Sequence, residues 1–448
     1  MSQNGLRRSL GLFPANNIVI ANIIGAGIFT TSGLLMADLG SPVLLIILWI
    51  VGGIIAFCGA LSYGELGANI PEAGGEYLFL SRIFHPSLGF LSGWVSFIVG
   101  FSAAISASAL GSAEYMIRGL PQLANWLSEN TVISTSLVSK IIAIVIVLIF
   151  TIIHSRGIES GSKVQNLLTV IKVILIVFII IAGLSSGRGD MNNFNRSEPL
   201  TGGLSSWRII GLSVMWIMYA YSGWNAATYI GSEIKNPGRN LPASLLTGTG
   251  IVILLFVLIN IVYIYAIPPD EMKGVISIGG LAMGNLFGHG AEILFSLIIS
   301  FALFSSLSAY IIIGPRVYYA MAKDGLFFKS IAKIHPRFNV PSHAIYLQSL
   351  ISIIIIITGT FDQIITYLGF SLGIFPILVV AGSFKMRREK KIKIRIRGFP
   401  VPQIIYMLAG ITILVLSFMQ RPVESSIALL TIAAGVPAYF LFKRYNKQ

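Results

Sequence analysis

Two short breaks inside long apolar stretches hold the residues of this chain that could bind a small molecule. The first break is the Gly-Ala-Gly triplet at 25–27, and the second, at 219–225, mixes Tyr, Ser, Gly, Trp and Asn. If the stretches cross a membrane, a break frees backbone amides at the start of one half-helix and carbonyls at the end of the other. Amides favour an anion and carbonyls favour a cation. Together the breaks predict an α-amino acid as the ligand.

The composition leaves little room for other chemistry. Cys58 is the only cysteine, which excludes an internal disulfide and a cysteine-based metal site, and the five histidines are scattered without metal-ligand spacing. A membrane-embedded enzyme would need a catalytic constellation, and His154, near the inner end of the fourth stretch, has no evident partner in the sequence. We therefore expect no metal, no cofactor and no enzymatic activity. A channel is disfavoured because the sequence has no filter-like repeat.

The chain as a whole has the composition of an integral membrane protein. Of its 448 residues, 55% are hydrophobic and only 11% are charged, less than half of the roughly 25% charged residues usual in a soluble domain. A spanning helix needs about 20 mostly apolar residues. Twelve stretches satisfy this requirement, at roughly 13–38, 41–65, 88–117, 136–155, 163–185, 207–233, 240–267, 290–322, 342–359, 362–384, 402–419 and 423–442. No connecting segment is long enough for a soluble domain.

The basic residues predict the orientation of these twelve spans. With the amino terminus in the cytoplasm, most of the 31 Lys and Arg residues fall in cytoplasmic segments, including the dense run at 385–397. An even number of spans then places both termini inside. The excess positive charge is explained by cytoplasmic segments whose basic residues lie beside anionic lipid headgroups. We therefore expect no nucleic-acid partner.

The two breaks lie at similar depths in predicted spans 1 and 6, five spans apart. Paired interruptions in corresponding positions indicate a transporter with inverted repeats and a site near the membrane midplane. Lys172 is the one basic residue inside a predicted span, the fifth. Because a lysine at a helix centre costs about 2.5–3.5 kcal/mol on insertion scales, we expect it to face protein or water and to have partners.

Several motifs resemble the amino acid–polyamine–organocation (APC) superfamily, and most closely a bacterial-type member of its L-amino-acid transporter (LAT) branch. Residues 25–29 match the family's G-[SA]-G-I-F motif, residues 219–225 its F-A-Y-x-G-W-N pattern, and residues 233–242 its E-x-x-N-P-x-[KR]-N-[LIV]-P signature. Further matches lie at 70–77, 161–165 and 316–325. The resemblance covers roughly residues 13 to 385.

The resemblance implies an all-α membrane protein with twelve transmembrane helices and a LeuT-type 5+5 inverted repeat, in which helices 1 and 6 are unwound. One transporter domain would span 1–448, with repeats at 13–185 and 207–384 and two peripheral helices at 402–442. The implied substrate-carboxylate site is Gly25, Ala26 and Gly27, and the implied amino-group site is Tyr219, Ala220 and Ser222. Tyr219 would also act as a lid and Asn225 as a polar gate residue. Lys172 would replace a sodium ion between helices 1 and 8, beside Ser305 and Ser306.

Three departures from the family pattern narrow this expectation. The segment between spans 3 and 4 has no cysteine, so we expect no disulfide-linked accessory subunit. Arginine/agmatine exchangers carry a glutamate where this chain has Asn225, and animal members carry phenylalanine where it has Tyr219.

We therefore expect a sodium-independent, alternating-access transporter of neutral L-amino acids in a bacterial cytoplasmic membrane, working as an exchanger. The acidic residues Asp38, Glu65, Glu114 and Glu233 all lie near predicted helix ends, which disfavours a cationic substrate. The alternatives are a proton-coupled amino-acid symporter and an antiporter of cationic amino acids or polyamines.

Overall fold

The computed structural model describes Arg8 and residues 10–72, 74–129, 134–156, 161–198, 200, 202–335 and 340–445, without side-chain placement at 161–168, 316 and 320. Within these ranges every regular element is a helix, apart from one isolated β-bridge between Leu10 and Ile234. The prediction of an all-α protein is confirmed.

The amino-terminal half of the chain contains nine α-helices and a π-helical turn, Ser96–Phe101, that joins α5 to α6. The helices are α1 (Leu12–Ile23), α2 (Ala26–Leu39), α3 (Pro42–Asn69), α4 (Gly75–Ile83), α5 (Pro86–Val95), α6 (Ser102–Gly119), α7 (Pro121–Glu129), α8 (Thr135–Ser155) and α9 (Gly161–Ser185).

The carboxy-terminal half contains nine further α-helices and three 3₁₀ segments: Met191–Asn195, Ala226–Glu233 and Lys329–Ala332. The helices are α10 (Gly203–Ala220), α11 (Pro237–Ala266), α12 (Pro269–Met272), α13 (Ile278–Phe287), α14 (His289–Lys323), α15 (Ser342–Thr358), α16 (Phe361–Arg388), α17 (Val401–Gln420) and α18 (Pro422–Tyr445).

Nine helical segments of the described residues are long and apolar enough to cross a membrane, which makes this a multi-pass membrane protein. They are Leu12–Leu39, Pro42–Asn69, Pro86–Gly119, Thr135–Ser155, Pro237–Ala266, His289–Lys323, Phe361–Arg388, Val401–Gln420 and Pro422–Tyr445. Three shorter apolar helices accompany them, at Thr169–Ser185, Ile278–Phe287 and Ser342–Thr358.

Local sequence signals explain several helix starts. Pro42 occupies the first turn of α3, and the Ser41 hydroxyl caps this helix by accepting from the Leu44 amide at 3.4 Å. Helix α16 begins with a capping box in which Thr360 and Gln363 satisfy each other's backbone amides. These caps fix where the helices begin.

Burial separates a central group of helices from a peripheral one. Every residue of α2 from Ala26 to Gly33 is buried, and α10 is buried along most of its last ten residues. By contrast, α17 buries only Gln403, Tyr406 and Ser417. The segments that carry the two breaks are therefore enclosed by the rest of the bundle.

Candidate substrate-binding site

The first break separates α1 from α2. Helix α1 ends at Ile23, Gly25 has extended backbone (φ −126°, ψ −155°), and α2 begins at Ala26. No side chain caps α2. Outside the regular helical pattern, no backbone hydrogen bond of the described residues uses the amides of Gly25, Ala26 or Gly27. The start of α2 therefore presents unpaired N–H groups together with the positive end of its helix dipole.

The second break follows α10. The helix ends at Ala220, residues 221–225 form turns, and a 3₁₀ segment begins at Ala226. The Tyr221 amide donates to the Ile217 carbonyl and the Ser222 amide to the Tyr219 carbonyl, both at 2.9 Å. Across the described part of the chain, no backbone amide outside the regular helical pattern donates to the Ala220 carbonyl. The end of α10 thus offers carbonyl oxygen with free acceptor capacity.

The two breaks are packed directly against each other through glycines. A Cβ at Gly27 would lie 2.4 Å from the Ala220 Cα, and a Cβ at Gly223 would lie 2.7 Å from the Asn22 carbonyl carbon. Gly223 also has φ +99°, a conformation that L side chains rarely adopt. Gly27 and Gly223 therefore allow the main chains of the two breaks to touch.

The predicted site residues divide by burial. Gly25, Ala26, Gly27, Tyr219 and Ala220 are buried at this contact, whereas Ser222 and Asn225 are half-buried. The Asn225 side-chain amide donates to Glu76 Oε1 at 2.8 Å. Asn225 is thus tied to α4 through its Nδ2 group.

Lys172 joins α9 to the first break. Its side chain is 1% exposed, and its Nζ donates to the Ile24 carbonyl at 2.9 Å and to the Ser306 hydroxyl at 3.1 Å. No carboxylate of the described residues forms an ion pair with it. Ser305, the other predicted neighbour, is fully buried on α14. The Lys172 amino group therefore bridges α14 and the backbone at the end of α1.

Tyr310 is a residue of this region that sequence reasoning missed. It lies on α14, and its hydroxyl would be 3.5 Å from a Cβ at Gly25. The Phe101 ring, at the end of the π-helical turn, lies 6.5 Å from the Tyr310 ring. Short π-helical turns often occur at functional sites. The periodicity of the sequence carries no signal for this contact, because α14 and α2 are remote along the chain.

Glu76 is a second residue that sequence reasoning did not single out. It is 7% exposed at the start of α4, and its Oε1 accepts from the Tyr63 hydroxyl at 3.1 Å as well as from Asn225. Helix α4 lies outside the spanning segments, and burial raises the pKa of this carboxyl from its ordinary 4.5 to about 7, although both hydrogen bonds act to lower it. The signal for Glu76 in the sequence was an acidic residue directly after two glycines.

His154 has a partner that the sequence does not reveal. Its Nε2 lies 3.0 Å from the Ser308 hydroxyl, which connects α8 to α14. Its ring also stacks on that of Phe150, one turn earlier in α8.

A separate cavity of about 290 Å³ opens where α2 and α6 end and α8 and α16 begin. Glu114 and Asp362 are among its lining residues, together with Thr135 and Lys140. The cavity is lined by a different part of α2 from the break, at Leu34.

These features define a polytopic helical membrane protein with a buried polar region where two broken helical segments meet. The chain belongs to the amino acid permease family, whose model matches residues 10–438. It is a bacterial-type, LAT-like member of the APC superfamily, and the resemblance drawn from its motifs is confirmed.

Transporters of amino acids are among its relatives. The serine/threonine exchanger SteT of Bacillus subtilis is 29% identical over 450 residues, covering 98% of each chain. The large neutral amino acids transporter small subunit 2 of Mus musculus is 29% identical over 449 residues, covering 97% of this chain and 81% of the relative. The human cystine/glutamate transporter is 27% identical over 453 residues, covering 99% and 87%.

Proposed function

We propose that this protein is a sodium-independent exchanger of neutral L-amino acids that works by alternating access. The observation that carries the proposal is the contact between the two breaks, where Gly27 lies against Ala220. The start of α2, which presents unpaired amides, therefore packs against the end of α10, which offers carbonyl oxygen. A substrate with a carboxylate and an ammonium group on one carbon would satisfy both.

The proposed architecture has twelve spans and a 5+5 inverted repeat. The first repeat covers 13–185, the second covers 207–384, and 402–442 form two helices outside the repeats. The breaks at Gly25 and at residues 221–225 would be the unwound centres of spans 1 and 6. The low burial of α17 supports the peripheral placement of the last two spans.

In this proposal the amides of Gly25, Ala26 and Gly27 bind the carboxylate, and carbonyls at Tyr219, Ala220 and Ser222 bind the amino group. Tyr219 closes over the substrate. A neutral side chain is favoured because Asp38, Glu65 and Glu114 lie near the ends of their helices. Glu65 is moreover paired with Arg387 at 2.5 Å.

Sodium independence is proposed because Lys172 places a buried ammonium group between the Ile24 carbonyl and Ser306. A cation at this position would hold the end of α1 against α14 without a bound metal ion. In this proposal Lys172, Ser305 and Ser306 couple the helices, and the two breaks bind the substrate.

The proposed location is a bacterial cytoplasmic membrane with both termini inside, and the protein is not expected to be an enzyme. No disulfide-linked accessory subunit is proposed, because the only cysteine, Cys58, is buried within α3. The proposed partners of the protein are membrane lipids and the transported amino acid.

A competition assay tests the recognition scheme. Proteoliposomes loaded with an unlabelled neutral amino acid are given the same labelled amino acid outside, with excess competitors. We expect competition by neutral zwitterions, and little by methyl esters, by N-acetyl derivatives or by cationic amino acids. Competition by the ester at the potency of the free amino acid would contradict a carboxylate site at the start of α2.

A further inference from the structure

A carboxyl group without a cationic partner is buried where α4 meets the second break. Glu76 is 7% exposed, and within the described residues no Lys, Arg or His forms an ion pair with it. Two neutral donors contact the same oxygen, the Tyr63 hydroxyl from α3 and the Asn225 amide from the break. A buried ionised carboxylate without a cation is costly, so the site favours a bound proton.

The surface that buries Glu76 is closely packed through glycines. Gly75 has φ +53°, and a Cβ there would lie 2.5 Å from the Tyr229 ring. A Cβ at Gly231 would lie 2.8 Å from the Glu72 carbonyl oxygen. The segment before α4 therefore lies directly on the 3₁₀ segment Ala226–Glu233, so separating the two would hydrate Glu76.

In the part of the chain that the structure describes, the titratable groups that face Glu76 are phenols. Tyr63 comes from α3, Tyr229 from the 3₁₀ segment and Tyr406 from α17. Phenols stay neutral near pH 7, so none of them compensates the carboxylate charge. The nearest acidic residue along the chain, Glu72, is half-exposed and pairs with Arg82 at 3.0 Å.

We propose that Glu76 is a proton-binding site that, when protonated, holds the 3₁₀ segment after the second break against α4 and so slows opening of the cytoplasmic side. The proposal rests on the exchange function proposed above and adds its regulation by protons. The Asn225 hydrogen bond crosses between the two parts, so opening must break it.

The direction of the pH effect follows from linkage. The closed site, with a pKa of about 7, binds a proton more tightly than the hydrated group with its ordinary 4.5. The proton therefore stabilises the closed form most at low pH, and this stabilisation is lost as pH rises through about 7. Between pH 8 and pH 6 the equilibrium shifts about tenfold towards the closed form.

Exchange by reconstituted protein, at equal pH on both sides, tests the proposal. We expect the rate of the parent protein to rise about tenfold from pH 6 to pH 8. Glu76→Gln, which mimics the protonated acid, should be slow and independent of pH. Glu72→Gln changes an exposed acid in the same loop and should keep the parental profile. A parental pH profile in Glu76→Gln would overturn the proposal.

Tyr63→Phe provides a second test that does not depend on the folding of Glu76→Gln. It removes one hydrogen bond that favours the ionised carboxylate, so the midpoint of the pH profile should rise by about one unit. An unchanged midpoint would count against the proposal.

Infrared difference spectra between pH 6 and pH 8, without substrate, separate this proposal from the transport function. The parent should show a protonated carboxyl band at pH 6 that is missing in Glu76→Gln. Identical spectra would refute proton binding at Glu76, whereas absence of exchange at every pH would refute the exchange function instead.

Discussion

Replacing Lys172 tests the link between α9, α14 and the first break. Lys172→Met keeps most of the side-chain volume but removes the ammonium group, and Lys172→Ala also removes the volume. Either change leaves the Ile24 carbonyl and the Ser306 hydroxyl without the donor that now lies 2.9 Å and 3.1 Å away, respectively. Both acceptors are buried.

The magnitude follows from these two bonds. Hydrogen bonds to charged groups contribute roughly 1.5–3 kcal/mol each, and part of this is offset by the cost of burying the ammonium group. If the bonds hold one transport conformation and are released in another, a net loss of about 2 kcal/mol corresponds to a roughly 30-fold change in rate. We expect at least this loss of exchange in both variants.

The assay measures exchange in proteoliposomes, normalised to the protein inserted. Lys140→Met is the matched control, because Lys140 also donates to a main-chain carbonyl, that of Ile357 at 2.9 Å, but at an exposed position. The control should exchange at close to the parental rate. Full activity of Lys172→Met at normal insertion would refute the coupling role of this lysine.

Three further predictions concern the breaks. Gly25→Ala has room for its methyl group, 3.5 Å from the Tyr310 hydroxyl, so it should fold but bind substrate at least about tenfold more weakly, which is about 1.4 kcal/mol. Gly27→Val should instead force the breaks apart and abolish uptake. Normal substrate affinity of both variants in a binding assay would contradict the carboxylate site. Tyr219→Ala should reduce exchange more than binding, and equal losses would argue against a lid. Asn225→Asp should place a second carboxyl against Glu76 and raise the midpoint of the pH profile of exchange above the parental one, which an unchanged midpoint would disprove.

Patterns along the chain were sufficient to predict the helical class and the family. The unwound centres of spans 1 and 6 stay a prediction. Apolar runs locate helices such as α3 and α11 because burial and hydrogen bonding in a membrane leave few other choices. The lysine in α9 was informative because a buried charge requires partners, and Ile24 and Ser306 do contact it. The assignment of these residues to transport stays a prediction.

Contacts between remote segments could not be predicted in the same way. The sequence predicts that Gly27 binds the substrate carboxylate. Its close contact with Ala220 also gives it a packing role, which only the folded chain reveals. Asn225 and Glu76 lie far apart in sequence, so their hydrogen bond has no local signal. The short helix α4 and the π-helical turn were also not predicted, because the prediction rested on apolar stretches of about 20 residues.

Counterflow is the most direct test of the central claim. Labelled neutral amino acid is supplied to proteoliposomes that are either empty or loaded with the unlabelled compound, in sodium or in choline medium and with or without a proton gradient. The account predicts fast uptake only into loaded vesicles, at the same rate in both media. Equal uptake into empty vesicles, or uptake that requires sodium, would contradict a sodium-independent exchanger.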